Sequence, residues 1–275
     1  MIPSKIYQSW KTKSLPKKME ENVKKFKSMN PDYDYELWDD NDCRDFLLQH
    51  FGENYLQAFD SLKPGAFKCD FWRYAILYIK GGVYLDIDMV PLVPLREIIK
   101  DTDEFVSIVD LKHELYNPTG CAIYQAFIAS VPKHPIMLYA LELSFYNIVN
   151  RKYGKKNLLN ITGPVVAGIA TNLYFNKPSR QEISPGTYDN GKLKLLSFRK
   201  PYIYDLSDNP IFNIRFDGYN GGENNYRKTA NYYVDNSKVS HKRISIATLA
   251  MSLAVIFIIS YLVSKLVKCK NFRKE

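Results

Sequence analysis

Two acids placed one residue apart, Asp86 and Asp88 in the stretch GGVYLDIDMVPL, are the residues of this chain whose types and spacing most directly suggest chemistry. They end a run that favours a buried strand, where acids are poor formers and costly to bury unpaired. Side chains at i and i+2 of an extended segment point the same way, so both carboxylates could approach one cation. Hard divalent ions such as Mn²⁺ or Mg²⁺ take oxygen ligands and bridge protein carboxylates to substrate phosphates. Such an ion would act as a Lewis acid, holding the charge that builds on a departing diphosphate. The acid pair alone is a weak signal, and the segment before it strengthens it. In CDFWRYAILYIKGG, Asp70 and Arg73 are three apart and share a helix face with Tyr74 and Leu77. The plain alternative is an ion pair on a solvated surface. That helix is apolar almost all round, however, so it is expected to be buried, and a charged pair inside it needs a cavity or a ligand.

The elements that must position these groups follow from periodicity. Lys5 to Trp10 reads as a first strand. Pro16 opens a helix with Leu15, Met19, Val23 and Phe26 on one stripe, closed by Asn30-Pro31. Tyr33 to Trp38 reads as a second strand, and Asp39 or Asp40 caps a helix that includes Phe46, Leu47 and Phe51. More helix runs to Leu62, Pro64-Gly65 interrupts, and a helix follows from Ala66 to Lys80. Gly81-Gly82 stops it before a strand from Val83 to Asp86. Downstream, Glu104 to Val109 and Leu193 to Phe198 read as strands, with helices over Pro135 to Tyr153 and Gly163 to Asn176. Strands alternating with helices predict an α/β fold whose central sheet is mainly parallel. Ligands of such sheets sit outside the carboxyl ends of the strands, where Asp86 and Asp88 fall.

The formal net charge is +9, and from Lys238 onward eight basic residues face one acid. That tail carries +7, so positions 1 to 237 carry only +2 and a nucleic-acid partner has little support. Cys43, Cys69, Cys121 and Cys269 contain no Cys-x-x-Cys pair, which predicts free thiols. Cys69 has no nearby His and is followed by Asp70, so it reads as a packed thiol and not as a nucleophile. Ile244 to Val263 is twenty residues long without a charge, enough for a transmembrane helix of about 30 Å. With no signal-peptide pattern at the N-terminus, the expected topology is a single-pass C-terminal anchor with the large domain in the cytosol. The domain plan is a catalytic domain over 1–216, a loop and basic linker over 217–243, the span over 244–263 and a basic tail over 264–275.

CDFWRYAILYIKGGVYLDIDMVPL resembles the signature of the DXD-containing sugar transferases of glycosyltransferase family 32. That family includes fungal mannosyltransferases acting on N-glycans and on inositol phosphoceramide, with members in bacteria and large DNA viruses. IPSKIYQSW, NPDYDYELWDD, ASVPKHPIM and the TGP at 162 to 164 match it too, so the resemblance covers roughly residues 2 to 200. It implies a Rossmann-like nucleotide-sugar transferase fold and a retaining transfer of a hexose (mannose, glucose or galactose) from a GDP- or UDP-sugar to a glycan or lipid hydroxyl. It further implies that Asp86 and Asp88 meet Mn²⁺ (or Mg²⁺) and the diphosphate. Asp70 and Arg73 would hold the donor sugar and its phosphate, Tyr84 would lie beside the nucleotide, and Trp10 would contact the base. For Trp10 and Tyr84 core packing explains the residue equally well.

The chain departs from the family pattern at Tyr7, where His is frequent, at Gln125, where Asn is frequent, and in lacking a late His-Ser-Trp element. The segment Arg215 to Gly222 could supply the missing ligand through Asp217 or Asn220, or be a plain linker. Two rival readings stand beside the transferase. DIDMV fits the nucleophile motif of haloacid-dehalogenase-like phosphatases, with Asp86 attacking phosphorus, although no downstream paired-acid loop follows. The other rival is a non-catalytic, membrane-tethered module that binds nucleotide-sugars or glycans.

Overall fold

Helical stripes and short apolar runs alternate along the chain, and each finds its partner in one sheet with helices on both faces. The computed structural model describes residues 1–151, 159–216 and 232–234. The first half runs β1 (Lys5–Ser9), α1 (Lys17–Met29), β2 (Asp34–Trp38), α2 (Asp40–Phe51), α3 (Glu53–Ser61), α4 (Gly65–Lys80), β3 (Gly82–Leu85), β4 (Val90–Pro91) and α5 (Leu95–Ile98). The second half runs β5 (Phe105–Val109), β6 (Ile123–Ser130), α6 (Pro135–Val149), α7 (Pro164–Tyr174), β7 (Gly186–Tyr188), β8 (Leu193–Arg199), β9 (Tyr202–Tyr204) and β10 (Pro210–Asn213). The expected capping at Asp39 is present: its carboxylate accepts from the N–H groups of Asn41 and Asp42, and Asp42 returns a bond to the Asp39 N–H.

The strand order is β2-β1-β3-β6-β5-β8-β9-β10-β4, with β7 beside β8. Pairs β1/β2, β1/β3 and β5/β8 are parallel, while β6 runs antiparallel to both β3 and β5. The pairs beyond β8, and β7 with β8, are antiparallel too. The expectation of a mainly parallel sheet is therefore corrected to a mixed one. The cause is local: no helix separates β5 from β6 or β8 from β9, and without a crossover helix a neighbouring strand must return antiparallel. The strand over 123–130 gave no signal because its run of apolar and small residues lacks the alternation of a half-buried strand.

Period-two alternation divides the core. Val83 and Leu85 join Ile6, Phe26 of α1, and Leu95 and Ile98 of α5 in one cluster. Tyr84 faces the other side, edge-on to Trp72 of α4 at 6.3 Å between ring centroids. Only residues 86–89 separate β3 from β4, yet β4 pairs at the far end of the strand path. A linker that short spans at most about 17 Å, so the sheet curls back until its β4 end lies near the carboxyl end of β3. Residues 232–234 dock beside the start of α4, where Lys63 N–H donates to the Tyr232 carbonyl at 2.9 Å and Val234 N–H to that of Ser61 at 2.8 Å.

The transmembrane span at 244–263, the basic tail and the candidate ligands Asp217 and Asn220 lie outside the described residues. Among the described residues no helix is long and apolar enough to cross a membrane.

Gly81 and Gly82 join α4 to β3 with φ of +65° and +100°. A Cβ on Gly82 would come within 2.8 Å of the Lys5 carbonyl oxygen on the neighbouring strand. Gly82→Ala should therefore cost about 2–4 kcal/mol of unfolding free energy in denaturant titration. A loss under about 0.5 kcal/mol would show that the α4–β3 connection is not held at this close approach.

Candidate functional site

The site begins with α4, whose residues Cys69, Asp70 and Arg73 lie in its first turns after Pro64-Gly65. Because α4 leads into β3, these turns lie at the end of the sheet where β3 finishes. Asp70 is 7% exposed and Arg73 is 4% exposed, as the all-round apolar character of the helix requires. Arg73 Nη2 lies 3.3 Å from Asp70 Oδ1 and 3.1 Å from Asp86 Oδ1, joining the helix acid to the first acid of the pair. Arg73 Nη1 donates to the Gln125 carbonyl at 2.7 Å, at a point where β6 loses its regular register with β5. The guanidinium also sits over the Tyr84 ring, 4.2 Å from its centroid. Arg73 Nε is buried without a hydrogen-bond partner among the described residues.

Each partner of Arg73 is held in turn. Asp70 Oδ2 accepts from Thr162 Oγ1 at 3.0 Å. The Thr162 carbonyl accepts from the Tyr74 hydroxyl at 2.8 Å and from Gln125 Nε2 at 3.2 Å. The Tyr84 hydroxyl donates to Asp86 Oδ1 at 2.6 Å. Cys69 Sγ lies 2.8 Å from that hydroxyl and 2.8 Å from Ser9 Oγ at the end of β1. Cys69 also accepts from Arg73 Nη2 at 3.3 Å, so this free thiol is part of the site and not a bystander.

Asp86 and Asp88 do not lie on an extended strand as expected. β3 stops at Leu85 and the chain turns, with the Met89 N–H donating to the Asp86 carbonyl at 3.1 Å. Alternation survives the turn: Ile87 and Met89 are buried, and Asp86 and Asp88 are half-buried. Asn22 of α1 holds the turn from beneath, its Nδ2 donating to the carbonyls of Ile87 at 3.0 Å and Met89 at 2.8 Å. Ile87 packs with Met19 and Val23, and Trp10 packs against that cluster, which puts Trp10 beside the acid turn. Sequence reasoning missed Asn22, although a polar residue on the core-facing stripe Met19, Val23, Phe26 was a usable signal. Thr162 was matched only as part of a motif, and its bond to Asp70 was not foreseen.

Charge is unbalanced here. Burial pushes Asp70 up to about 6 against the pull of Arg73 and Thr162. Asp88 is pushed up to about 6 by burial and then by the nearby Asp86. Burial works against the charge on Arg73, and Tyr84, Cys69, Asp86 and Asp70 more than offset it. With all three acids ionised, one guanidinium leaves an excess of two negative charges, which a divalent cation would neutralise. Among the described residues no three His, Cys, Asp or Glu side chains cluster as a metal site. Two neighbouring half-buried carboxylates are the donor chemistry of a hard ion that takes one or two carboxylates and completes its shell with substrate phosphate and water. Asp86 and Asp88 are the residues that would hold it. A phosphatase nucleophile at Asp86 fits poorly, because the Oδ1 of that carboxylate is already bonded to both Tyr84 and Arg73.

The chain is similar to proteins already known. Residues 16–105 match the glycosyltransferase sugar-binding region containing DXD motif. An uncharacterised glycosyltransferase of Acanthamoeba polyphaga mimivirus is 34% identical over 165 residues, covering 59% of this chain and 62% of the relative. A mannosyl phosphorylinositol ceramide synthase of Saccharomyces cerevisiae is 25% identical over 248 residues, covering 85% of this chain and 57% of the relative. An inositol phosphoceramide mannosyltransferase of Schizosaccharomyces pombe is 39% identical over 88 residues, or 32% of this chain and 24% of the relative. The chain thus spans less than two thirds of the length of these relatives. Among solved structures, the PaToxG glycosyltransferase superposes with a TM-score of 0.46 at 18% identity, covering 64% of this chain and 70% of that one.

The raised pKa of Asp88 sets a pH test for the metal-free protein. Its folded value of about 6 lies above the 3.8 of an ordinary Asp, so the folded state binds the extra proton between these limits. Stability is then lost as pH rises through 6. Asp88→Asn should stabilise the fold by about 1–2 kcal/mol at pH 7.5, and that gain should disappear near pH 4. Denaturant titrations at both pH values measure it, and an equal gain at both would contradict the electrostatic origin.

Proposed function

We propose, from the premise that this chain belongs through residues 16–105 to the DXD-containing sugar transferases, that it moves a hexose from a nucleoside-diphosphate sugar to a hydroxyl of a glycan or lipid acceptor. The observation that carries the reading is Arg73, within 3.3 Å of Asp70 on α4 and 3.1 Å of Asp86 on the acid turn. It joins the helix acid to the first acid of the pair beside the carboxyl end of β3.

In this reading Asp86 and Asp88 hold Mn²⁺ or Mg²⁺ with the donor diphosphate. When bound, the ion supplies Lewis-acid stabilisation of the leaving diphosphate. In this reading the Arg73 guanidinium binds a donor oxygen, its Nε having no partner among the described residues, and Asp70 accepts from a sugar hydroxyl. Tyr84 keeps Asp86 oriented, and Trp10 offers an apolar wall to the base. The acceptor oxygen bonds to the sugar carbon as the bond from that carbon to the diphosphate breaks. The hydroxyl proton passes to a diphosphate oxygen, so no protein base is needed when departure and attack share one face. Configuration at the sugar carbon is then retained. The mannosyl chemistry named for the fungal relatives makes GDP-mannose the first donor to try, with UDP-sugars beside it. The apolar run 244–263 favours an acceptor at a membrane surface.

The purified full chain, screened against GDP- and UDP-sugars, should release nucleoside diphosphate only when Mn²⁺ or Mg²⁺ is present. Asp88→Asn and Arg73→Lys should each lower kcat/KM by about 10²–10³. Metal-independent turnover, or turnover that Asp88→Asn leaves intact, would overturn the assignment.

A further inference from the structure

The connection between α6 and α7 sends the hydroxyl of Thr162 to the site, and no step of the transfer accounts for it. Thr162 is fully buried, and its Oγ1 donates to Asp70 Oδ2 at 3.0 Å from 92 residues away in sequence. The peptide that carries it is pinned on both sides. Ahead of it, Asn147 Nδ2 of α6 donates to the carbonyls of Asn160 at 2.9 Å and Ile161 at 3.0 Å, and Arg180 Nη2 donates to Asn160 Oδ1 at 2.7 Å. Behind it, the Val166 N–H donates to the Gly163 carbonyl at 2.9 Å in the first turn of α7. The Thr162 carbonyl itself attaches to α4 through the Tyr74 hydroxyl and to β6 through Gln125 Nε2. These bonds fasten the connection to α4 without the threonine side chain.

The hydroxyl therefore has another task. An Asp carboxylate turns about a broad, two-fold torsion, so a single donor leaves its plane free to rock. Here two donors grip opposite oxygens: Arg73 Nη2 lies 3.3 Å from Oδ1 and Thr162 Oγ1 3.0 Å from Oδ2. An ionised carboxylate has about four acceptor positions, so about two stay open, in directions that the two donors fix. A bond to the charged form also favours that form. Arg73 and Thr162 pull Asp70 toward ionisation while burial and Asp86 push it the other way, and Tyr74 is the other titratable group beside it. An acceptor held in one plane discriminates among hydroxyl positions on a ring, and one that rocks does not.

We propose that Thr162 is a positioning residue for the transfer: its hydroxyl fixes the plane of the Asp70 carboxylate, and with it the direction from which Asp70 accepts a hydroxyl of the donor sugar. The inference rests on the sugar-transfer reading above and extends it to a residue that acts through Asp70.

The test is equilibrium binding to the full chain, with Mn²⁺ present, of GDP and UDP and of the methylene-phosphonate analogues of GDP-mannose, UDP-glucose and UDP-galactose, which cannot transfer their sugar. Wild type should bind at least one analogue more tightly than its bare nucleotide. Thr162→Val keeps the shape without the hydroxyl and should lose most of that gain, roughly fivefold to tenfold, while affinity for the bare nucleotide holds. Thr162→Ser keeps the hydroxyl and should restore the gain. A merely structural role would weaken nucleotide and analogue alike, with Ser no better than Val. That pattern, a gain unchanged in Thr162→Val, or no gain in wild type would overturn the proposal. Denaturant midpoints of Thr162→Val, Asp70→Asn and the double variant form a second arm, and their shifts should be non-additive. Additive shifts would show that hydroxyl and carboxylate do not interact, and would overturn the proposal too. Failure of nucleotides and analogues alike to bind wild type would instead count against the sugar-transfer reading, and the double-variant comparison would still decide the contact between Thr162 and Asp70.

Discussion

Arg73 is a cation taken almost wholly out of water, and the arrangement of the site follows from what such a charge requires. Its guanidinium reaches acids on two different elements, a β6 carbonyl and the face of an aromatic ring. Removing it would leave Asp70 and Asp86 buried or half-buried without compensation, an error worth about 3–5 kcal/mol. The interaction is therefore structural and chemical together: the contact that lets α4 lie against the end of β3 also sets the charge of the cluster. What it does not do is balance that charge. The remaining negative excess is the physical reason the site is suited to a cation bound with an anionic substrate.

Two features of the backbone hold the acid turn in place. The sheet curls so that β4, at the far end of the strand path, lies just after β3, and the acid pair occupies the turn between these two strands. The turn is not free to relax, because Asn22 holds two of its carbonyls and Ile87 and Met89 are buried on either side of Asp88. Gly81 and Gly82 fix the approach from the other direction, in a conformation with positive φ that side chains resist. Asp86 and Asp88 are thereby pre-positioned by core packing and not by each other, whose charges repel.

Much of this was legible in the sequence because it follows from local physics. The helix read as Ala66 to Lys80, its glycine stop, the strand after it and the burial of Asp70 and Arg73 all came from periodicity and from the mismatch between a charged pair and an apolar helix. Strand direction was not legible. Nothing in IYQAFIAS distinguishes a strand inserted antiparallel between β3 and β5 from other buried segments, and this one insertion changes the sheet from mainly parallel to mixed. The turn at Asp86 to Met89 was also hidden, since its carbonyls are satisfied by Asn22, far away in sequence. Contacts of that range, including Thr162 to Asp70 and Ser9 to Cys69, depend on the finished topology.

The central claim is that the acid turn and the Arg73 cluster form one site for a cation and a diphosphate together. It is tested most directly by Mn²⁺ affinity, followed by water-proton relaxation or electron paramagnetic resonance, with and without GDP or UDP. Binding to one site must be coupled, so the nucleotide should tighten Mn²⁺ binding at least tenfold, with Mn²⁺ tightening the nucleotide by the same factor. Mn²⁺ affinity that is indifferent to both nucleotides would contradict the account.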